Sequence, residues 1–140
     1  MTNRNLALII KEQNPLMLAA KETVQHACQR MWDRRVGAVL VTDDNSDLVG
    51  IFTGRDAVRT LAEGKNPAET TLAASMTPNP TTIAPDRNAI DALRKMTDGG
   101  YRHLPVVANG KILGIVSRGD FTGLELDRLE DEGDIWDRIM

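Results

Sequence analysis

Gly50-Ile-Phe-Thr53-Gly-Arg-Asp56 is written a second time, 64 positions later, as Gly114-Ile-Val-Ser117-Arg-Gly-Asp120. Both stretches read glycine, apolar, apolar, hydroxyl, two unrestricted positions, carboxylate. The apolar pair suits the inside of a strand, the hydroxyl its end, and the aspartate the start of a helix. A carboxylate there can accept from two vicinal hydroxyls of a small polyol, and backbone N–H groups nearby favour an anion. Aspartate is also a favoured helix cap, worth about 1 kcal/mol. Capping alone does not call for a hydroxyl three residues earlier in both copies. The pattern predicts two quasi-equivalent ligand sites.

Working outward, the repetition covers far more than the motif. Asn14-Pro15 aligns on Asn79-Pro80 at an offset of 65, bringing Ala19 onto Ala84, Ala27 onto Ala92, Met31 onto Met96 and Val41 onto Val106. One residue is lost before the last strand, and the motifs then align at 64. An ordered series of identities of this kind is the mark of a tandem duplication.

Each copy predicts the same elements. A short extended piece (Met17-Leu18; Thr82-Ile83) leads to a helix whose apolar face is Val24, Ala27, Cys28, Met31 or Ala89, Ala92, Leu93, Met96, spaced i, i+3, i+4, i+7. Thr23 and Asn88 precede these faces as N-caps. Ala38–Val41 and Leu104–Val107 read as buried strands, followed by a turn: Asn109-Gly110 in copy two, the looser Asp43–Asp47 in copy one. Strands Leu48–Phe52 and Ile112–Val116 and a helix near Asp56 or Asp120 complete a β-α-β-β-α unit. The Pro- and Gly-containing stretch from Glu63 to Pro80 is a linker, with a helical turn over Leu72–Met76.

Composition narrows the function. The 140 residues are 41% apolar and 26% charged, an ordinary globular balance. A net charge of −3 argues against a nucleic-acid partner. No apolar run reaches the roughly 18–20 residues of a membrane span. The apolar stretch near Met1 is too short and lacks a small-residue cleavage site, so no signal peptide is expected. One cysteine and two histidines give no internal disulfide, no metal centre and no nucleophile–histidine triad. Nothing pairs a nucleophile with a base and an orienting group, so the expectation is a non-catalytic module of the cytoplasm. Cys28 is expected as a small buried hydrophobe, His26 as solvated, and Trp32 as a packing or interface residue.

A duplicated β-α-β-β-α unit ending in Gly-h-h-[Ser/Thr]-x-x-Asp (h, apolar) resembles the CBS (cystathionine β-synthase) domain pair, or Bateman module. Pro80-Thr-Thr-Ile83, Tyr101–Val107, Asn109-Gly110 and the two motifs carry the resemblance. It implies an α/β (α+β) fold with tandem β-α-β-β-α repeats packed as an intramolecular pseudo-two-fold pair. Residues 8–66 form repeat one, 67–79 a linker with a short helix, 72–128 repeat two and 129–140 an acidic tail. It further implies that clefts between the repeats bind an adenosine-type ligand: AMP, ADP, ATP, sometimes NAD or S-adenosylmethionine. No catalytic cofactor and no metal are implied. The modules pair into disc-like homodimers that signal to a protein partner, here unidentified.

Carried over to this chain, Asp56 and Asp120 accept from ribose hydroxyls, and Thr53 and Ser117 bond ribose or phosphate. Thr82 with Ile83, and Met17 with Leu18, offer backbone polar groups and an apolar wall to the base. Arg102 and His103 give charge-assisted bonds to phosphate. Arg55 and Arg118, displaced from each other by one position, reach a phosphate or lie on the surface. Copy one departs from the pattern: Met17 stands in place of Thr82, and Gly37-Ala38 in place of Arg102-His103. The two sites are therefore unequal, and copy two is the better endowed. The competing expectation is a structural dimerisation module with vestigial sites and the acidic tail, with Leu129, Trp136 and Ile139, as a docking surface.

Overall fold

The computed structural model describes residues 4–121. The helix expected after Asp120 and the acidic tail lie outside the described residues. In chain order the elements are α1 (Leu6–Ile9), β1 (Met17–Ala19), α2 (Val24–Arg34), β2 (Ala38–Thr42), β3 (Leu48–Thr53), α3 (Gly54–Ala62), α4 (Leu72–Ser75), β4 (Thr77–Pro78), α5 (Ala89–Gly99), β5 (His103–Ala108), β6 (Lys111–Ser117) and a 3-10 turn (Arg118–Asp120). The fold is mixed α+β. The described residues divide into two compact units: Asn14–Thr81 with Gly110–Ile112, and Thr82–Asn109 with residues 4–13 and 113–121. Among the described residues no helix is long and apolar enough to cross a membrane.

In the first unit a four-stranded sheet runs β1-β2-β3-β4. β1 is parallel to β2, with Leu18 opposite Val41, and β2 is antiparallel to β3, with Leu40 opposite Ile51. Leu18, Val24, Ala27, Met31, Val39, Val41, Phe52 and Leu72 close one buried cluster. Each such large apolar side chain contributes about 1.5–3 kcal/mol on burial. Thr23 caps α2 by accepting from the His26 N–H at 3.1 Å. The helix stops at Arg35, a non-glycine residue in the left-handed region at φ 54°.

The second unit repeats this plan. Asn88 caps α5, accepting from the Asp91 N–H at 3.0 Å while Asp91 accepts in return from the Asn88 N–H at 3.3 Å. The Asn109-Gly110 turn joins β5 to β6, both residues at positive φ (53° and 76°) as a tight hairpin requires. Ile83 bridges Val106 in parallel, as Leu18 does Val41 in the first unit. The extended piece of copy two is thus a single bridge rather than a strand.

A further repeat, unread in the sequence, concerns the segments that precede each copy. Residues 4–10 precede copy one but pack in the unit of copy two: Leu6 N–H donates to Arg87 O (2.9 Å), Ala7 N–H to Pro85 O (3.1 Å), and Ala89 N–H to Arg4 O (2.7 Å). Residues 70–76 precede copy two but pack in the unit of copy one with the same bonds: Leu72 to Glu22 (2.8 Å), Ala73 to Ala20 (3.0 Å), and Val24 to Thr70 (2.8 Å). Asn5 and Thr71 cap the equivalent helical turns. The leaders are exchanged. This explains the motif's glycine. A Cβ on Gly114 would stand 2.9 Å from Ile10 Cβ, and one on Gly50 would run into the Met76 side chain.

Candidate functional site

Copy one builds its motif at the β3–α3 junction. Strand β3 ends at Thr53, whose extended backbone (φ −117°, ψ 170°) turns the next residues into α3. Asp56 Oδ2 accepts from the Thr53 N–H at 2.9 Å and the Thr53 hydroxyl at 3.2 Å, completing a capping box with the Asp56 N–H. Its other oxygen is also taken. Asp56 Oδ1 accepts from the Thr77 hydroxyl at 3.2 Å and pairs with Arg59 Nη1 at 3.4 Å. Asp56 is 6% exposed, and these donors satisfy both oxygens of the buried side chain.

Copy two makes the same junction with fewer donors. Asp120 Oδ2 accepts from the Ser117 N–H at 2.7 Å and the Ser117 hydroxyl at 3.2 Å. Asp120 Oδ1 has no donor among the described residues, and the residue is only partly buried. Its backbone carbonyl accepts from Arg4 Nη2 at 2.7 Å, which ties the leader to the turn. The strand entry beside it is held by Arg118 N–H donating to Arg102 O at 3.3 Å, the counterpart of Gly54 N–H to Gly37 O at 3.2 Å.

His103 opens β5, and its charge environment includes both Asp120 and Arg102. Burial pushes the imidazole below its ordinary value, Asp120 pulls it back up, and Arg102 pushes it further down. The neutral form is favoured at neutral pH. A neutral imidazole N–H still gives a charge-assisted bond to an ionised phosphate, and Arg102 and Arg118, both exposed, carry the positive charge.

The remaining candidates fall as follows. Ile83 and Leu18 are core residues, at 4% and 9% exposure. Both backbone polar groups of Ile83 are engaged in the sheet, donating to Pro105 O and accepting from Val107 N–H, each at 3.0 Å. The Ile83 N–H is thus committed to the sheet, while its carbonyl keeps a second acceptor position. Thr82 is half-buried and its carbonyl accepts from Lys95 Nζ at 3.2 Å. Met17 is exposed, and so is Arg55. The first unit thus gathers Met17, Thr53, Arg55 and Asp56, and the second Thr82, Arg102, His103, Ser117, Arg118 and Asp120.

Thr77 and Arg59 are the residues that sequence reading missed. In the leader alignment Leu72–Met76 matches Leu6–Ile10, but neither Thr77 nor Arg59 lies within the matched stretch, so the alignment carries no signal for them. Beyond that point the leaders diverge. Thr77 continues as β4 opposite Ile51, whereas in copy two the Gln13 side chain takes the Ile115 N–H at 2.9 Å. Cys28 is partly buried rather than sealed, and burial raises its thiol above the ordinary value. His26 is paired with Glu22 at 2.8 Å. No group of three or more metal-ligating side chains occurs among the described residues.

Comparison with known proteins agrees with this fold. A family model for the CBS domain matches residues 9–63 and again 71–126. The CBS domain-containing protein CBSCBSPB2 of Arabidopsis thaliana is 48% identical over 95 residues, which is 67% of this chain but 18% of that protein. The chain thus spans under a fifth of that plant relative. Among solved structures, the CBS domain pair of MJ0100, in complex with 5′-methylthioadenosine and S-adenosyl-L-methionine, is 25% identical with a TM-score of 0.75, over 89% of this chain and 98% of that one. The CBS domain protein PAE2072 of Pyrobaculum aerophilum, complexed with AMP, shares the fold at a TM-score of 0.82 and 22% identity, over 91% and 98% of the two chains.

Proposed function

The chain belongs to the CBS domain family, and from there we propose that it is a non-catalytic regulatory module whose second motif binds the ribose of an adenosine-type ligand. The observation that carries this reading is that Asp120 Oδ1 meets no donor among the described residues. An ionised carboxylate has about four lone-pair positions. Ser117 uses two of them, both on Oδ2. Two remain, which is what a vicinal diol needs. The two adenosyl compounds bound by MJ0100 support the ligand class. Arg102 and Arg118 provide exposed guanidinium groups for a phosphate chain, or for other anionic groups of AMP, ADP, ATP or NAD.

Binding would act on a partner only through a difference in affinity between two geometries of the module or its homodimer. The partner is a protein read out in the cytoplasm. Titration calorimetry with AMP, ADP, ATP, NAD and S-adenosylmethionine tests the reading. The wild-type chain binds at least one of them, and Asp120→Ala weakens that binding by roughly 100-fold, the value of two charge-assisted bonds. No heat with any of the five at millimolar concentration contradicts it.

A second reading, a dimerisation or partner-binding module with vestigial ligand sites, is favoured by one observation. Trp32 is 84% exposed and lines an open groove of about 760 Å³ with Cys28, Met31, Val36 and Ala57. An exposed aromatic of this kind is typical of interaction surfaces. Under that reading Asp120→Ala leaves dimer and partner binding intact.

A further inference from the structure

We propose that Thr77 and Arg59 decide which of the two motifs accepts ligand, by closing the carboxylate of copy one with the chain's own linker. This inference rests on the diol reading of Asp120 given above. Asp56 faces four donors: Thr53 N–H and Thr53 hydroxyl on Oδ2, Thr77 hydroxyl and Arg59 Nη1 on Oδ1. Its roughly four lone-pair positions are filled, and a vicinal diol finds none. The motif that looks duplicated in sequence is single in function.

The closing group belongs to the linker, which is itself tied down around Asp56. Arg59 Nη2 donates to the Ser75 carbonyl, so one guanidinium joins the linker backbone to the carboxylate. Thr77 is held in register by β4, with Thr77 opposite Ile51 and Pro78 opposite Gly50. Met76 lies over Gly50, and the Asn79 N–H donates to Val49 O at 3.1 Å. To reach Asp56 a diol must displace the Thr77 hydroxyl, and with it loosen residues 75–79. In copy two the leader diverges after Ile10, and Gln13 supplies a carbonyl to Ile115 rather than a hydroxyl to Asp120. Asp120 is left open by the same exchange of leaders that closes Asp56.

Thr77→Val removes the hydroxyl at nearly constant volume, and Arg59→Gln removes the guanidinium. Calorimetric titration with AMP compares wild type, Asp120→Ala, Thr77→Val/Arg59→Gln, and the triple variant. One ligand per wild-type chain, its loss in Asp120→Ala, a second ligand in the double variant, and one in the triple variant support the proposal. Full binding by Asp120→Ala that disappears in Asp56→Ala overturns it, because copy one is then already open. A folded triple variant that binds no better than Asp120→Ala overturns it as well.

Absence of binding in the wild type would remove the ligand reading itself, and a ligand-free measurement separates that failure from failure of the latch. In amide hydrogen exchange, Thr77→Val raises the rates of Met76 and Asn79 by about 10-fold or more, the equivalent of losing one charge-assisted bond. Unchanged rates at these amides overturn the latch whatever the calorimetry gives.

Discussion

Replacing Asp56 with alanine is expected to cost more stability than replacing Asp120, although the two occupy the same place in the repeat. Asp56→Ala strips the acceptor from the Thr53 N–H, a lost cap worth about 1 kcal/mol. It also removes the acceptor of the Thr77 hydroxyl, but Thr77 is exposed and water takes its place, so this adds only about 0.5 kcal/mol. The Arg59 pair adds only about 0.5–1 kcal/mol, because that side chain is 52% exposed and screened by water. The sum is about 2 kcal/mol. Asp120→Ala loses only the bonds from Ser117, at a half-exposed position, for about 1 kcal/mol. Urea denaturation at neutral pH measures both. The expected result is a midpoint drop about twice as large for Asp56→Ala, with unchanged denaturant dependence. Equal losses, or a loss below about 1 kcal/mol for Asp56→Ala, would refute the claim that Asp56 is an internally committed carboxylate.

Three further outcomes follow from the geometry. Gly114→Ala drives a Cβ to 2.9 Å from Ile10 Cβ and 2.8 Å from Gln13 Oε1, and is expected to cost about 2 kcal/mol. Gly50→Ala runs into the Met76 side chain, which packs on the first unit's core, and stands 3.0 Å from the Thr77 carbonyl, so it is expected to destabilise as well; unchanged thermal melts for both variants would contradict the exchanged leaders. Arg35→Gly relieves a left-handed residue at φ 54° and is expected to stabilise by about 1 kcal/mol, measured as a raised urea midpoint. His103 has a folded-state value below its unfolded one, so the unfolded chain binds the proton first on acidification. Its contribution is lost as pH falls from about 6.5 toward the folded value and restored as pH rises. The stability difference between wild type and His103→Gln should therefore shift in favour of the variant below pH 6.5, and a shift the other way would reverse the sign of the argument.

The duplication made most of the fold legible before any coordinates. Apolar spacing marked α2 and α5, and Thr23 and Asn88 marked their starts. Asn109-Gly110 marked the hairpin, and the repeated Gly-h-h-[Ser/Thr]-x-x-Asp marked the two junctions. These signals are local, each set by a few neighbouring residues. The exchanged leaders are not. Leu6–Ile9 and Leu72–Ser75 are single turns, too short to carry a helical period, and their partners lie some eighty and fifty residues away in the chain. For the same reason the sequence pairs Asp56 with Thr53 but not with Thr77, 21 residues on. The expected inequality of the two copies rested on Thr82 and the Arg102-His103 pair against Met17 and Gly37-Ala38. The structure adds a different source for it, the number of donors already facing each aspartate.

The claim that Asp120 is the open diol acceptor is tested most directly by a crystal structure of the protein grown with AMP. The account predicts the 2′- and 3′-hydroxyls within about 3 Å of Asp120 Oδ1, with Asp56 still bonded to Thr77. A nucleotide whose ribose sits on Asp56 with Thr77 in its present position would contradict it, and so would one that touches neither aspartate.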